Sequence, residues 1–302
     1  MSEISFKQLE AFVAVVDYSS FSRAAEELFL SQSTVSAHIS TLEELLGIRL
    51  LSRGERRRIH PTEEGAQAYA YAKKILADCR TLTNLFAASA DGPLMLGASS
   101  VPGQYLVPNY LSAFLKKNPN TRYTLRHGNS EQMHSLLRSG EIRLGFVGAM
   151  LEPEAFKYIA LAEDRLVLIT QNNPHFYNMK EHGFTLQELL SEPMVAREEG
   201  SGTYLTLQNY IYKNGLSRDN LHIVARVDDP EAIKNMVLHG VGIAIQSVSA
   251  VSDEIADGSL LAFELGEKGL KRDIYLIFRR DTELTLAERR FVTFLKEFRK
   301  SL

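Results

Sequence analysis

Residues 20–47 set two helix-forming stretches end to end with almost no chain between them, SFSRAAEELFL and then SQSTVSAHIS. Few architectures accommodate that. A link of only Phe29-Leu30-Ser31 makes two helices cross sharply, which is the geometry of a helix-turn-helix. Helical spacing assigns the inner faces: Leu9, Phe12, Val13 and Val16 on a first helix, Phe21, Ala24, Ala25 and Leu28 on a second, and Val35, Ile39, Leu42 and Leu46 on a third. Ser20 or Ser22 suits the N-cap of the second helix and Ser31 that of the third. Gly47 supplies a left-handed residue to end the third.

With Val35, Ile39 and Leu42 turned inward, Gln32, Ser33, Ser36, Ala37 and Ser40 face outward near the helix N-terminus. Short side chains there let a helix approach the floor of a major groove. Gln32 is suited to pair with base edges and Ser33 and Ser36 to meet phosphate or bases, with His38 on the flank toward phosphate. A helical hairpin in a protein-interaction domain would tolerate the same polar face, but it would not call for the basic segment that follows. In LLSRGERRRIHPT, from Leu50 to Thr62, Gly54 is a turn residue and Arg53, Arg56, Arg57 and Arg58 are phosphate ligands on a two-stranded wing. The net charge of the chain is −3, so attraction to a polyanion rests on this local stripe.

Pro61-Thr62 opens a long helix expected to run to about Ala90, with Thr62 capping it and Glu63 and Glu64 in its first turn. Tyr69, Ala72, Leu76, Cys79, Thr83 and Phe86 alternate three and four residues apart, with Ile75 and Leu82 beside them. Such a stripe on a long helix is usually buried against a copy of itself. Cys79 reads as a small packing residue on that seam, because neither a second cysteine nor a basic cluster accompanies it. Asp91-Gly92-Pro93 breaks the helix. Beyond it strands and helices alternate, the pattern of α/β architecture. Strands are expected at Leu94–Ala98, Arg122–Arg126, Leu144–Val147, Leu166–Thr170, Ile223–Val227, Ile243–Gln246 and Ile274–Phe278. Helices are expected near 104–117, 130–139, 203–214, 230–239 and 285–300.

The run SFSRAAEELFLSQSTVSAHISTLEELLGIRLLSR, with HPTEEG after it, closely resembles the N-terminal domain of LysR-type transcriptional regulators. The likeness continues, more loosely but in order, through PGQYLVPNYLSAFLKKNP, GEIRLGFVG, REEGSGT and EAIKNMVLHGVGIAI. It implies a multidomain α and α/β protein, with a winged helix-turn-helix over 1–61 and a linker and dimerisation helix over 62–91. An effector-binding domain like a periplasmic binding protein would occupy 92–302, its two α/β subdomains at about 92–162 plus 267–302 and about 163–266. The resemblance puts Gln32, Ser33, Ser36 and Ala37 at the DNA-reading face and Arg53 in the wing. Ala37 stands where many members carry Arg, which exchanges a direct base contact for contact with a thymine methyl.

The family's effector cleft maps onto Ser99, Ser100, Val101 and Gly103, then Asn129 and Ser130, and from the other subdomain Glu199, Gly200, Ser201, Gly202 and Thr203. Helix-start N–H groups helped by hydroxyls favour a small anion. ASSVPGQYLVP and REEGSGT look most like the branch associated with sulfur and selenium metabolism, though Tyr204 replaces an Arg frequent there. The implied partners are double-stranded DNA, a second copy of the chain in a homodimer or homotetramer, a small effector ligand and RNA polymerase. No cofactor, metal or membrane is implied, and the expected location is the cytoplasm.

A larger carboxylate metabolite is the alternative effector. An enzyme is disfavoured by the lack of a phosphate loop, a G-x-S-x-G elbow or metal-spaced His and Cys; His127, His175 and His182 read as surface or packing residues. GVGIAI follows a helix and opens a strand, the wrong context for a dinucleotide fingerprint. A transport solute-binding protein would carry an export signal and no helix-turn-helix, the reverse of this chain.

Overall fold

The computed structural model describes residues 3–53, 59–86, 93–183, 185–266 and 269–299. The chain divides into two compact units, Met1–Ala88 with Arg138–Glu141, and Ser89–Leu137 with Ile142–Leu302.

In the first unit, α1 (Phe6–Tyr18), α2 (Phe21–Glu27) and α3 (Gln32–Leu46) are capped by Ser5, Ser20 and Ser31, whose hydroxyls each accept the N–H three residues on. Ser20 rather than Ser22 is thus the cap of α2. Their apolar faces meet in one core of Phe12, Val15, Ala24, Val35, Ile39, Leu42 and Leu50. Some expected core residues sit differently. On α1 the fully buried positions are Ala11, Phe12 and Val15, with Val13 and Val16 at the rim, because α1 is covered on two sides by α3 and α4. Leu46 is 39% exposed, one turn past Leu42, where Gly47 at φ +70° turns the chain away.

The turn between α2 and α3 holds Phe29 at φ +55° with 95% of its surface in solvent. A left-handed conformation costs a Cβ-bearing residue about 1–2 kcal/mol, and here no packing offsets it. Phe29→Gly is therefore expected to raise stability by about 1 kcal/mol, read as a higher midpoint in urea with an unchanged slope.

The wing is a two-stranded antiparallel sheet of β1 (Leu51–Arg53) and β2 (Ile59–Pro61) with Leu51 opposite Pro61. Arg56, Arg57 and Arg58 lie outside the described residues. Glu43 on α3 fixes the wing's entry: its Oε1 accepts the Leu50 N–H at 2.7 Å and its Oε2 pairs with Arg49 Nη1 at 3.1 Å. The long helix α4 (Glu63–Phe86) begins where Thr62 Oγ1 accepts the Gly65 N–H at 2.9 Å. Any side chain at Gly65 would place its Cβ 2.0 Å from the Leu50 carbonyl oxygen, so helix and wing meet only through glycine.

The apolar stripe of α4 divides differently from the expected seam. Ala72 and Leu76 are buried in the winged core, and the Tyr69 hydroxyl donates to the Asp17 carboxylate on α1. Among the described residues the apolar side chains of α4 left open are Tyr71, Ile75 and Leu82. The side chains of Thr83 and Phe86, also expected on the seam, lie outside the described ones.

The second unit is built on a seven-stranded sheet. β3 (Leu94–Ser99) lies between β4 (Tyr123–Gly128) and β5 (Leu144–Val147), parallel to both. The 16-residue β6 (Phe156–Gln171) and β11 (Leu270–Arg279) pair antiparallel along their lengths. The first half of β6 and the last half of β11 complete a lobe with β3–β5, α5 (Val107–Lys117), α6 (Ser130–Ser139) and α12 (Leu286–Phe298). Its core holds Leu96, Phe114, Phe146, Leu276 and Phe291. The second half of β6 carries β9 (Ala244–Ser247) and β10 (Leu260–Phe263) into another lobe. There α9 (Gly202–Lys213), α10 (Pro230–Leu238), β7 (Met194–Arg197) and β8 (Ile223–Val227) close over Leu168, Met194, Tyr204, Leu207 and Ile243. Two strands therefore cross between the lobes, with a register shift between Ile274 and Tyr275 at the crossing. No helix among the described residues is long and apolar enough to cross a membrane.

Candidate functional site

The outer face of α3 is as its spacing requires: Gln32, Ser33, Ser36, Ala37 and Ser40 are exposed, His38 is half-buried on the flank, and Val35, Ile39 and Leu42 are sealed inside. The hydrogen bonds separate structural from available groups. The Ser31 hydroxyl spends itself on Ser33, Thr34 and the Thr34 N–H, and Gln32 Oε1 accepts from Ser22 at 3.2 Å. Ser36 and Ser40 make no side-chain hydrogen bond among the described residues. They form the free polar part of a helix slim enough to enter a major groove. Arg53 ends β1, on the wing beside this helix.

A second site lies in the other unit, where the two lobes face each other across a cleft with about 190 Å³ of empty space. Ser99, Ser100 and Val101 enter from the end of β3, Asn129 and Ser130 from the end of β4, and Ser201, Gly202 and Thr203 from the start of α9. Of the residues expected there, Gly103, Glu199 and Gly200 do not line it. Gly103 is packed against His127, Gly200 lies beside Glu131, and Glu199 is exposed. Its backbone oxygen instead accepts from Asn129 Nδ2 at 3.5 Å. Gly202 permits the close approach: a Cβ there would sit 2.7 Å from the Gly148 oxygen.

Two arginines complete the wall. Arg197, at the end of β7, donates to Ser100 Oγ at 3.1 Å and is held by Glu198 through Nε at 2.8 Å. Arg272, on β11, donates to Thr203 Oγ1 at 3.0 Å and to Asp164 Oδ2 at 2.8 Å, and Asp164 also accepts from Ser247 at 2.5 Å. Burial pulls the Arg272 guanidinium below its ordinary pKa; Asp164 opposes that shift and the like charge of Arg197 adds to it. Both guanidinium groups stand beside the cavity with a carboxylate partner each, Glu198 for Arg197 and Asp164 for Arg272. Ser130 is 1% exposed, and its hydroxyl oxygen has no hydrogen-bond partner. A buried hydroxyl is rarely left so without a ligand or water to meet it. Tyr204 does not oppose an anion: it is 2% exposed in the neighbouring core, where its hydroxyl accepts from Arg226 at 2.9 Å.

Away from the cleft the lobes are also tied by Tyr105, in the turn Pro102–Leu106, whose hydroxyl donates to Glu231 Oε1 at 2.7 Å. Burial and the adjacent Glu231 carboxylate both push the Tyr105 pKa up. Burial alone would raise the Glu231 carboxyl as well, but hydrogen bonds from Lys234 and Tyr105 hold it below its ordinary value. Among the described residues no group of His, Cys, Asp and Glu is arranged to hold a metal ion.

Residues 6–66 match the family described as bacterial regulatory helix-turn-helix protein, lysR family, and residues 87–300 match the LysR substrate binding domain. The transcriptional activator CmpR of Synechocystis sp. (strain ATCC 27184 / PCC 6803 / Kazusa) is 30% identical over 301 residues, covering 98% of this chain and 96% of that one. Full-length CbnR, solved in complex with its target DNA, is 21% identical with a TM-score of 0.67, over 98% of this chain and 100% of that one. The regulatory domain of CcmR from Synechocystis PCC6803, solved with 2-PG, is 24% identical with a TM-score of 0.62, over 70% of this chain and 99% of that domain.

Proposed function

Because the chain belongs to the LysR family of DNA-binding transcriptional regulators with an effector-binding domain, we propose that its effector is a small anion seated between the two lobes. The observation that carries this is the Ser130 hydroxyl, buried without a partner in a wall that also holds Arg197 and Arg272. The guanidinium N–H groups, the hydroxyls of Ser100, Ser130 and Thr203 and the α9 N-terminus supply donors. A sulfate-type oxyanion, in keeping with the sulfur-related likeness of ASSVPGQYLVP and REEGSGT, or a small carboxylate suits that set.

Size argues against the larger carboxylate. Pockets for drug-sized ligands hold about 300–1,000 Å³, whereas the cavity in this cleft measures about 10 Å³. DNA is read by α3 with the wing against the backbone. The open stripe of Tyr71, Ile75 and Leu82 supports pairing of two chains through α4, so that two half-sites are read together. Effector binding would favour one angle between the lobes and through it one spacing of the reading heads.

Footprinting of the full-length protein on its own selected DNA, with and without millimolar sulfate, sulfite or acetate, tests both parts. The expected result is an interrupted palindrome of two protected half-sites whose pattern changes with at least one anion. A single protected half-site would refute the paired reading head, and a pattern indifferent to all three anions but altered by a neutral compound would refute the anionic effector.

A further inference from the structure

The cleft is not the largest hollow in the second unit. On the other side of Arg272 a wider pocket of about 930 Å³ of empty space opens between the outer face of α9, the segment Gly148–Leu151 and the first half of β11. Its α9 wall carries Asn209, Tyr210 and Lys213, spaced so that all three share one face. These groups are uncommitted. Among the described residues the Lys213 ammonium has no ion-pair partner, the Asn209 amide has no hydrogen bond, and the Tyr210 hydroxyl has none.

The other cations on the wall are already paired, Lys271 with Glu163 at 2.7 Å and Arg272 with Asp164, while Asp273 accepts from the Tyr275 hydroxyl at 3.1 Å and keeps its charge. One free cation, one free amide and one free phenol therefore converge beside an apolar surface of Met150, Leu205 and Leu270. Met150 is 47% exposed there, an apolar side chain that nothing in the protein covers.

We propose that this pocket is a second ligand site, for a small organic anion whose acidic group meets Lys213, Asn209 and Tyr210 and whose apolar body covers Met150 and Leu205. The site is separate from the cleft but not independent of it. Arg272 lines both, and its guanidinium donates to Thr203 on the cleft side. A ligand in either position acts on the orientation of the same side chain, which gives the two sites a physical route to coupling.

Titration calorimetry on the full-length protein with phenylacetate, phenyl phosphate and the neutral phenylacetamide tests the proposal. At least one of the two anions is expected to bind, the amide at least 10-fold more weakly, and Lys213→Gln or Asn209→Ala to weaken the anion about 10-fold, which is about 1.4 kcal/mol. A preference for phenyl phosphate would assign the site to phosphate esters, and a preference for phenylacetate to carboxylates. Both variants are on an exposed helix face and leave the cleft untouched, so sulfate binding there serves as the control for folding. The proposal is overturned if neither anion binds at about 10 mM, far weaker than ordinary specific affinities. It is equally overturned if the amide binds as well as the acids, or if both variants bind the anions with wild-type affinity.

Discussion

Ser36→Asp is expected to weaken operator binding by roughly 100-fold or more, about 3 kcal/mol, while the melting temperature stays within about a degree of wild type. Ser36 is exposed, lies on the same face as Gln32, Ser33 and Ser40, and its hydroxyl makes no hydrogen bond among the described residues. Its replacement therefore disturbs no internal contact. A carboxylate in the N-terminal half of a helix is mildly favourable to the helix itself. Against DNA it is set toward phosphates and base acceptors, and the repulsion acts at close range with little water between. Ser36→Ala separates charge from shape, since it removes one hydroxyl and introduces no repulsion; a loss of about 1 kcal/mol or less is expected for it. Fluorescence anisotropy with a labelled operator, alongside thermal melts of both variants, makes the measurement. Wild-type affinity in Ser36→Asp would show that α3 presents another face to the duplex.

Arg272→Met is expected to destabilise the second unit by about 3–5 kcal/mol, the cost of leaving one half of a buried ion pair unpartnered. Asp164 is 6% exposed, and without the guanidinium it keeps only the Ser247 hydroxyl. The charge on Arg272 also reaches Thr203 in the other wall of the cleft, so the same variant is expected to lose its response to anions. The double variant Arg272→Met with Asp164→Leu is expected to recover most of the stability and none of the response, because a matched apolar pair removes the stranded charge without restoring a donor. Urea unfolding followed by circular dichroism reads the first quantity and an anion-induced melting shift the second. Recovery of both in the double variant would remove Arg272 from the effector site.

How much of this was legible before coordinates follows from the range of the interactions involved. The helix-turn-helix is local: caps, apolar spacing and the terminal glycine lie within a few residues of what they control, and Ser31, Val35, Ile39, Leu42 and Gly47 are placed as their pattern requires. The hydroxyl-bearing loops of the cleft are equally local, being the ends of β3 and β4 and the start of α9. The two arginines were not legible. Arg197 ends MVAR, a four-residue strand buried on both faces, so it lacks the alternation that would mark it. Its only signal is position, one strand end before the loop EEGSGT. Arg272 lies in KRD, the polar first half of β11, which reads as loop until its partner Asp164, 108 residues away, is beside it. On α4 the spacing of Tyr69, Ala72 and Leu76 marked an apolar side but did not say that α1 and the winged core, rather than a second chain, cover that part of it.

The paired strands that join the lobes have a consequence for synthesis. The first lobe's core contains Leu94, Leu96 and Phe146 together with Leu276, Phe291 and Leu295, so its hydrophobic centre is closed only by segments synthesised after most of the second lobe. Until they arrive, β5 has no β11 to pair with, and the apolar surface that α12 will cover stays wet. Such long-range closure slows folding and leaves an unpaired strand edge open to other chains. The second lobe draws its core mostly from the residues between β6 and β11 and is the part able to form first. A nascent chain stalled short of β11 would thus hold a settled second lobe and an unfinished first one, and truncations that remove β11 and α12 should yield aggregation rather than a smaller regulator.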